Sequence, residues 1–384
     1  MGTHQTTIGR EMNLEAYRDE FEACKNGRIY LNHAGVSPLP RRCAEAMREA
    51  LAWNSDLTPE NWSKYIGGVE RCRKAVAAML NVPPEDIALS RNTTEGINWI
   101  ACGMDWKPGD RVVTVEGEYP ANIYPWMRLQ KKGVELARIQ PADERVPLEW
   151  IEKELTPQTR LVSLSYVEFA SGFRFDVEAA GDLCYEKGIP FFVDLIQGMG
   201  VFPINLDKWK VTFAAGGGQK WLLGPQGGGF FYCPKKHLDL VETTMVGATS
   251  IVHWTPYTDY DFTLRPNASR FEYGTPPTLP LIGMAASVEM LNEAGMENVC
   301  ERVRIITDVL IDGAIQKGYV CHSPRGESEW SGIVILSHPN HSPHSVVEAL
   351  QVHHIQASER EGRIRLAPHF YQTEEEMIRV IDRL

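Results

Sequence analysis

The sequence predicts an α/β fold with a largely parallel central sheet, and three observations support this prediction. Short apolar runs of strand length alternate with amphipathic runs of helical period through most of the chain. The length of 384 residues suits one large domain and a smaller one. After about residue 290 the pattern becomes helix, strand, helix, which fits a separate C-terminal unit. We therefore expect an N-terminal segment at 1–28, a large domain at 29–290 and a small domain at 291–384.

The single elements follow from the period of the apolar residues. Amphipathic patterns predict helices at 12–24, 40–53, 69–80, 148–155 and 177–187. Shorter apolar runs predict strands at 86–90, 111–115, 160–165, 189–194, 211–214 and 228–232. We find no internal repeat and no low-complexity linker.

The composition excludes several classes of partner. A net charge of −11 argues against nucleic acid as the main partner, because phosphate recognition needs a basic surface. No apolar run is long enough to cross a bilayer, so we expect no membrane partner. The first ten residues are polar and lack the apolar centre of a signal peptide, which favours a cytoplasmic location.

The eight cysteines form no C-x-x-C pair, and most of them lie in apolar or helical patterns. This arrangement indicates small buried side chains in a reducing compartment rather than a zinc or redox site. The adjacent His353 and His354 would point to opposite sides of a strand. We therefore expect no metal site.

A carboxylate and a lysine carry the strongest chemical signal. Asp194 ends the apolar run 189–193 at the rim of the predicted sheet, and Lys220 follows the glycines 216–218 on a tight loop. This pair suits pyridoxal phosphate (PLP), because a lysine forms an imine with its aldehyde and an acid keeps its pyridine nitrogen protonated. Plainer interpretations are a helix N-cap for Asp194 and a solvated loop lysine for Lys220. Trp221 after the lysine excludes a nucleotide-binding P-loop, which needs Ser or Thr there.

A second motif lies at 92–98, directly after a predicted strand. Thr93 and Thr94 would place hydroxyl and backbone N–H groups at the start of a helix, which favours an anion such as phosphate. A threonine followed by Glu95 also fits a capping box that needs no ligand. The motif alone leaves both interpretations open.

Together these motifs resemble the PLP-dependent enzymes of fold type I, class V aminotransferase superfamily. This group includes cysteine desulfurases, cysteine C–S lyases, kynureninases and isopenicillin N epimerase-like proteins. The resemblance extends from 29–34 to 365–371. It implies a large domain with a mostly parallel seven-stranded sheet, a small α+β C-terminal domain and an N-terminal segment packed near that small domain. It also implies PLP as cofactor, an amino acid as substrate, and a homodimer with the active site at the subunit interface.

The resemblance assigns catalytic roles to three residues. Lys220 would form the Schiff base and then remove the α-proton of the substrate. Asp194 would bind the pyridine nitrogen. Tyr119 would stack on the cofactor ring at a position where desulfurases have His, although a tyrosine exchanges protons less readily near neutral pH.

The resemblance also implies a set of binding residues. The further cofactor contacts are Gln197 with the ring hydroxyl oxygen, Thr93, Thr94 and Gln219 with the phosphate, and Thr275 with the phosphate of the partner subunit. The substrate contacts are Asn32, Phe169 and Arg365, whose guanidinium suits an α-carboxylate. Gly217 stands where many relatives carry Ser, so the resemblance does not imply that phosphate contact here.

Two departures from the desulfurases bear on the reaction. The region 352–361 before Arg365, where desulfurases carry a nucleophilic cysteine, contains no cysteine. Phe169 stands where desulfurases usually have Asn. We therefore favour a β-eliminating C–S lyase that acts on an L-amino acid or cysteine conjugate without an enzyme persulfide. An amino-acid epimerase of the isopenicillin N epimerase type comes second, and a class V aminotransferase third.

Hypotheses from two other classes are weaker. A PLP-binding protein without turnover would not need the carboxylate clamp at Arg365. A dinucleotide-dependent oxidoreductase would carry G-x-G-x-x-G after its first strand, and this sequence does not.

Overall fold

The computed structural model describes residues 12–253 and 255–384. The α-helices are Leu14–Arg18 (α1), Glu22–Lys25 (α2), Arg41–Ser55 (α3), Pro59–Leu80 (α4), Thr93–Gly103 (α5), Tyr124–Arg128 (α6), Leu148–Glu154 (α7), Val177–Glu186 (α8), Thr278–Ala294 (α9), Met296–Gln316 (α10), Pro343–Val352 (α11) and Glu374–Ile381 (α12). The strands are Ile29–Tyr30 (β1), Ile87–Ser90 (β2), Arg111–Val115 (β3), Glu135–Ile139 (β4), Thr159–Ser165 (β5), Phe191–Asp194 (β6), Phe213–Gly217 (β7), Gly229–Tyr232 (β8), Val320–Cys321 (β9), Val334–Ser337 (β10), Ile355–Gln356 (β11), Ser358–Arg360 (β12) and Arg363–Leu366 (β13).

The central sheet contains seven strands in the order β2-β8-β7-β6-β5-β3-β4. The strands β3 to β7 pair in parallel, whereas β8 runs antiparallel to both of its neighbours. The carboxyl ends of the five parallel strands therefore meet at one edge, which is where open α/β sheets bind ligands. The predicted α/β class with a mostly parallel seven-stranded sheet is confirmed.

Successive residues of the central strands face opposite sides of the sheet. Phe191 and Val193 pack into one apolar cluster together with residues of α4, α8 and α9. Phe192, which lies between them, packs into a second cluster with residues of α5 and α6. Because both faces are covered, every position of such a strand is apolar, and the strand is visible in the sequence as a continuous apolar run.

Two features of the sheet differ from the prediction. The sequence pattern does not predict β4, because this edge strand is partly exposed and Glu135 and Arg138 interrupt its apolar residues. The glycines 216–218 were expected to form a turn, but β7 continues through Gly216 and Gly217. A Cβ on Gly216 would lie 2.6 Å from the ring of Phe230 on the neighbouring strand, so glycine allows these strands to approach closely.

Two helices also differ from the prediction. The single helix at 12–24 is wrong, since the chain forms the short helices α1 and α2 there. Phe21 separates them with an extended backbone and stacks on Tyr371, with the ring centroids 3.7 Å apart. The helix predicted at 69–80 begins earlier, at Pro59, because the Thr58 side chain caps it and its polar first half carries no apolar period.

The C-terminal region forms a second sheet with the strand order β12-β13-β10-β9, and α10 and α12 pack against each other there. Strand β1 pairs in parallel with β11, and Arg18 forms an ion pair with Glu376 at 2.8 Å. The domain boundaries 1–28, 29–290 and 291–384 stay a prediction, and residues 1–11 lie outside the described part of the chain. Within the described residues, no helix combines the length and apolarity that a bilayer crossing requires.

Candidate active site at the carboxyl edge of the sheet

A cavity of about 960 Å³ opens at the carboxyl edge of the parallel strands. Its walls come from the segments that follow β3, β5, β6 and β7, together with the segments around residues 32–36 and 360–365. The predicted site residues that line it are Asn32, Tyr119, Phe169, Gln197, Gln219, Lys220 and Arg365. Residues that are far apart in the sequence thus meet at one site, as the resemblance implies.

Lys220 lies on the loop after β7, and its backbone is held from two sides. Its carbonyl accepts hydrogen bonds from the Ser37 hydroxyl at 2.6 Å and from the Leu223 N–H at 2.9 Å. Its Nζ lies 5.4 Å from the centroid of the Tyr119 ring. Burial lowers the pKa of Lys220 to about 8, although the charge of Asp194 opposes this shift. A larger share of the amine than in an ordinary lysine is therefore neutral and nucleophilic near physiological pH.

Asp194 ends β6 and is buried. Its two oxygens accept hydrogen bonds from the Ile196 N–H and from the Asn122 side-chain amide, both at 2.9 Å. Burial raises the pKa of Asp194, whereas these donors and Lys220 lower it. After Asp194 the chain continues into turns, so the helix N-cap interpretation is wrong. A buried carboxylate is costly unless a cation compensates it, and a protonated pyridine nitrogen would do so.

Gln197 is oriented by two hydrogen bonds. Its Oε1 accepts the indole N–H of Trp221 at 2.8 Å, and its Nε2 donates to the Ala34 carbonyl at 3.2 Å. These bonds settle which end of the amide carries the donors. The second N–H hydrogen of the same nitrogen suits an acceptor such as a ring hydroxyl oxygen.

Helix α5 begins beside the cavity, and Asn92 caps it by accepting the Glu95 N–H at 3.0 Å. A capping role for the threonines is therefore wrong. The Thr93 hydroxyl is buried and has no hydrogen-bond partner among the described residues. Leaving such a group unsatisfied costs about 1–3 kcal/mol, and a phosphate oxygen at the helix start would satisfy it. Gln219 lines the cavity nearby, whereas Thr94 is exposed.

Tyr119 and Phe169 form an aromatic wall of the cavity. Their rings meet edge to face, with centroids 5.4 Å apart and planes inclined at 79°. Tyr119 is 49% exposed, so the face of its ring is open to a ligand. The geometry allows the ring to stack on a flat heterocycle.

Arg365 is 2% exposed, and its hydrogen bonds are long. It donates to the Phe169 carbonyl at 3.2 Å, to the Asn32 side-chain oxygen at 3.4 Å and to the Ser358 hydroxyl at 3.4 Å. All three acceptors are neutral. Burial and the nearby Arg360 lower the pKa of Arg365 to about 10, which still leaves it charged at neutral pH. A carboxylate ligand would offer shorter, charge-assisted bonds.

Thr275 does not enter this cavity. It lines a small adjoining pocket with Arg91 and Tyr273 and is exposed. Its contact with the phosphate of a partner subunit stays a prediction.

Sequence reasoning misses three polar residues next to Asp194, namely Glu118, Asn122 and Glu168. Asn122 Nδ2 donates to Glu118 at 3.1 Å as well as to Asp194. Glu118 and Glu168 immediately precede the aromatic residues Tyr119 and Phe169. That adjacency is the only signal in the sequence, because nothing in the local pattern shows that the two glutamates are buried together.

The strands β12 and β13 form a tight hairpin at the cavity. Arg360 pairs with Arg363, so Glu361 and Gly362 alone make the turn. Their φ angles of 47° and 69° are typical of a type I′ turn. The eight cysteines all lie within the described residues, and none of them lines the cavity.

A family model for aminotransferase class V matches residues 29–380. The chain belongs to this family. A probable cysteine desulfurase of Pyrococcus abyssi is 31% identical over 339 residues, which cover 85% of this chain and 82% of that protein. The apo structure of a cysteine desulfurase from Thermococcus onnurineus NA1 is 26% identical, with a TM-score of 0.88 and 97% of each chain covered. A complex of the cystine C–S lyase C-DES with its product cysteine persulfide shares the fold, at 22% identity, a TM-score of 0.86, and 93% of this chain and 97% of that chain covered.

As a class V family member, the protein is a PLP-dependent enzyme. The residues at the cavity fit this cofactor. Lys220 offers an amine of lowered pKa, Asp194 a buried carboxylate, and Thr93 a buried hydroxyl without a partner among the described residues. Each group would suit a different part of PLP, namely the aldehyde, the pyridine nitrogen and the phosphate.

Proposed function

We propose that this enzyme is a C–S lyase, which releases a thiol from an L-cysteine conjugate or a related L-amino acid by β-elimination. We further propose that it does so without forming a persulfide on one of its own cysteines. The observation that carries this proposal is the absence of a thiol at the cavity. The segment before Arg365 is closed by the two-residue turn of Glu361 and Gly362, and among the described residues no cysteine lines the cavity.

The residues on the cofactor side have separate roles. Bound PLP supplies a carbonyl for the substrate amine and a ring that accepts an electron pair. Lys220 would hold the cofactor through its aldehyde and would act as the base for the substrate α-proton, which its lowered pKa permits near neutral pH. Asp194 keeps the pyridine nitrogen protonated, and Gln197 donates to the ring hydroxyl oxygen.

The remaining residues position the ligands. Arg365 binds the substrate α-carboxylate in a two-pronged arrangement, with the Asn32 amide beside it. Phe169 and Tyr119 form the wall against which the cofactor ring and the substrate lie. Thr93, Thr94 and Gln219 bind the phosphate.

The state of the cysteines supports a reaction without an enzyme thiol. Burial raises the pKa of the thiols of Cys24, Cys43, Cys72, Cys184, Cys233, Cys300 and Cys321. A thiol of raised pKa is a poor nucleophile, because the thiolate is the reactive form. Cys102 lies in the last turn of α5, at the end of the helix opposite Thr93.

Cysteine desulfurase is the second candidate, and the names of the relatives favour it. Both reactions break a C–S bond of a cysteine derivative, but a desulfurase moves the sulfur to a cysteine of the enzyme. An epimerase and an aminotransferase would use the same Lys220, Asp194 and Arg365. An epimerase returns the proton to the α-carbon, and an aminotransferase needs a keto-acid co-substrate.

A product analysis distinguishes these reactions. The PLP-loaded enzyme is incubated with a panel of L-amino acids and S-substituted cysteines in deuterated water. A lyase yields a thiol, pyruvate and ammonia in equal amounts. Intact amino acid with scrambled stereochemistry and deuterium at the α-carbon would contradict the proposal in favour of an epimerase. Turnover only with an added keto acid would indicate an aminotransferase.

We also propose a homodimer with the active site at the subunit interface. The exposed Thr275 and the adjoining pocket with Arg91 and Tyr273 support it, because they offer an open polar surface beside the cavity. The exposed aromatic side chains of Tyr260 and Phe262 lie on a segment that a second subunit would cover. Sedimentation of the purified enzyme tests this proposal, and a monomer at micromolar concentration would contradict it.

A further inference from the structure

Two buried glutamates meet inside the protein, and the reaction described above uses neither of them. Glu118 and Glu168 are only 5% and 8% exposed, and their carboxyl groups are within hydrogen-bonding range of each other. Glu118 lies after β3 and Glu168 after β5, and these two strands are parallel neighbours in the sheet. The two carboxyl groups therefore connect two of the loops that form the cavity.

The two carboxyl groups have different surroundings. Glu118 accepts the Ser165 N–H at 2.8 Å, the Ser165 hydroxyl at 2.7 Å, the Asn122 amide at 3.1 Å and the Tyr119 N–H at 3.3 Å. The Oε1 atom of Glu168 is buried and has no hydrogen-bond partner among the described residues. Glu118 is thus surrounded by donors, whereas Glu168 faces another carboxyl group.

Two buried carboxyl groups in contact cannot both be charged, so the pair holds a proton at neutral pH. Burial, the charge of Asp194 and the adjacent carboxyl group all raise the pKa of Glu168. Burial also raises the pKa of Glu118, to about 7, but its Ser165 and Asn122 donors oppose that rise. A proton shared by the pair would therefore reside on Glu168, which has no other donor nearby among the described residues, and would point to the Glu118 carboxylate.

We infer that Glu118 and Glu168 form a carboxyl–carboxylate latch, in which one shared proton joins the loops after β3 and β5 and holds Asn122 against Asp194. Glu118 acts as a positioning residue through Asn122, whose two Nδ2 hydrogens are shared among Glu118, Ser165 and Asp194. The latch is independent of the reaction type, because each candidate reaction needs the Asp194 carboxylate in place.

The latch also fixes the position of the aromatic wall formed by Tyr119 and Phe169. Tyr119 directly follows Glu118, and Phe169 directly follows Glu168. The carbonyl of Phe169 accepts a hydrogen bond from Arg365. If Glu168 loses its proton, two buried anions repel each other across the two loops. The ring of Tyr119, the carbonyl of Phe169 and the orientation of Asp194 would then shift together.

Two substitutions of the same kind test the latch with opposite expected results. Glu168→Gln keeps a donor toward Glu118, so we expect the PLP dissociation constant to stay within about threefold of the wild-type value. Glu118→Gln turns N–H groups toward the donors of Asn122 and Ser165, so we expect PLP to bind about tenfold more weakly or worse. Both are measured by equilibrium titration of the apoprotein, whose folding is checked by circular dichroism.

The pH dependence of unfolding gives a readout that simple packing would not change. A folded-state pKa above the unfolded value of about 4.3 means that the native protein binds more protons than the unfolded chain. The free energy of unfolding of the wild-type apoprotein therefore falls as the pH rises from the unfolded value toward the raised pKa of Glu168. Glu168→Gln removes this contribution, so its melting temperature should fall less between about pH 5 and 8. Asp194 and Lys220 titrate in both proteins and serve as the common background, whereas the titration of Glu118 changes together with that of its partner and belongs to the latch.

A third variant keeps the test decisive if Glu118→Gln does not fold. Glu168→Leu fills the space but offers no hydrogen-bond donor to Glu118. It should therefore weaken PLP binding, whereas Glu168→Gln should not. The latch is overturned if Glu168→Gln and Glu168→Leu weaken PLP binding equally, or if neither does. An unchanged pH dependence of the melting temperature in Glu168→Gln would also contradict it.

Discussion

The two sides of the cavity are built differently. On the cofactor side, Asp194 and Gln197 are buried, and four hydrogen bonds of 2.8–3.2 Å orient them. On the substrate side, Arg365 is also buried, but its hydrogen bonds are 3.2–3.4 Å long and all go to neutral oxygens. The cofactor side is organised before any ligand binds, whereas the substrate side lacks its charged partner.

This difference explains what can be inferred about each ligand. A rigid set of groups with fixed donors and acceptors matches one constant molecule, and the family supplies its identity as PLP. On the substrate side, the buried guanidinium of Arg365 suits a carboxylate, which leaves the rest of the substrate undefined. Substitutions on the cofactor side should therefore affect every substrate alike, and those on the substrate side should depend on the substrate.

The largest effect is expected at Lys220. Lys220→Ala removes both the attachment of the cofactor and the base, so turnover should fall by about a thousandfold or more with every substrate. Borohydride reduction of the wild-type enzyme should fix PLP on the peptide that contains Lys220, as mass spectrometry would show. The exposed Lys208, which pairs with Glu178 at 2.9 Å, provides the control Lys208→Ala. PLP fixed on a different lysine would contradict the assignment of Lys220 as the attachment residue.

The next largest effect is expected at Asp194. Asp194→Asn keeps the size of the side chain but loses the charge that holds the pyridine nitrogen protonated. We expect kcat to fall about a hundredfold or more, while PLP still binds through Lys220 and the phosphate site. Steady-state kinetics on protein of measured PLP content provides the check. A kcat close to that of the wild type would remove Asp194 from the mechanism.

A smaller effect is expected at Arg365. Arg365→Lys keeps the charge and loses the two-pronged geometry, so kcat/KM should fall about tenfold or more, with PLP affinity little changed. Arg363→Lys is a matched control on the same strand, because Arg363 pairs with Glu144 at 2.6 Å instead. Equal losses in the two variants would show that Arg365 does not bind the substrate.

The smallest effects are expected at the cysteines. Single substitutions of each cysteine by Ala or Ser should leave kcat unchanged in protein that folds and binds PLP, because none of these thiols lines the cavity. Substitution of Cys72 or Cys233 should lower the melting temperature instead, because both side chains are fully buried. A loss of turnover at one cysteine, with normal fold and PLP content, would contradict the proposed chemistry.

The same contrast between the two sides explains which parts could be predicted from the sequence. Buried strands such as Phe191–Asp194 are visible as apolar runs, and the acid at such a strand end is conspicuous. Glu118 and Glu168 are not, because each precedes an aromatic residue in an irregular loop and becomes buried only when two loops meet. The edge strand Glu135–Ile139 and the break of the N-terminal helix at Phe21 escape prediction for a related reason, since tertiary contacts rather than local period decide them.

The fate of the sulfur atom tests the central claim most directly. The intact mass of the enzyme is followed during turnover of a cysteine conjugate, while thiol and pyruvate are quantified in solution. The account predicts an unchanged protein mass and one thiol released for each pyruvate. A gain of one sulfur atom, mapped to any of the eight cysteines, would contradict it and identify a persulfide-forming desulfurase.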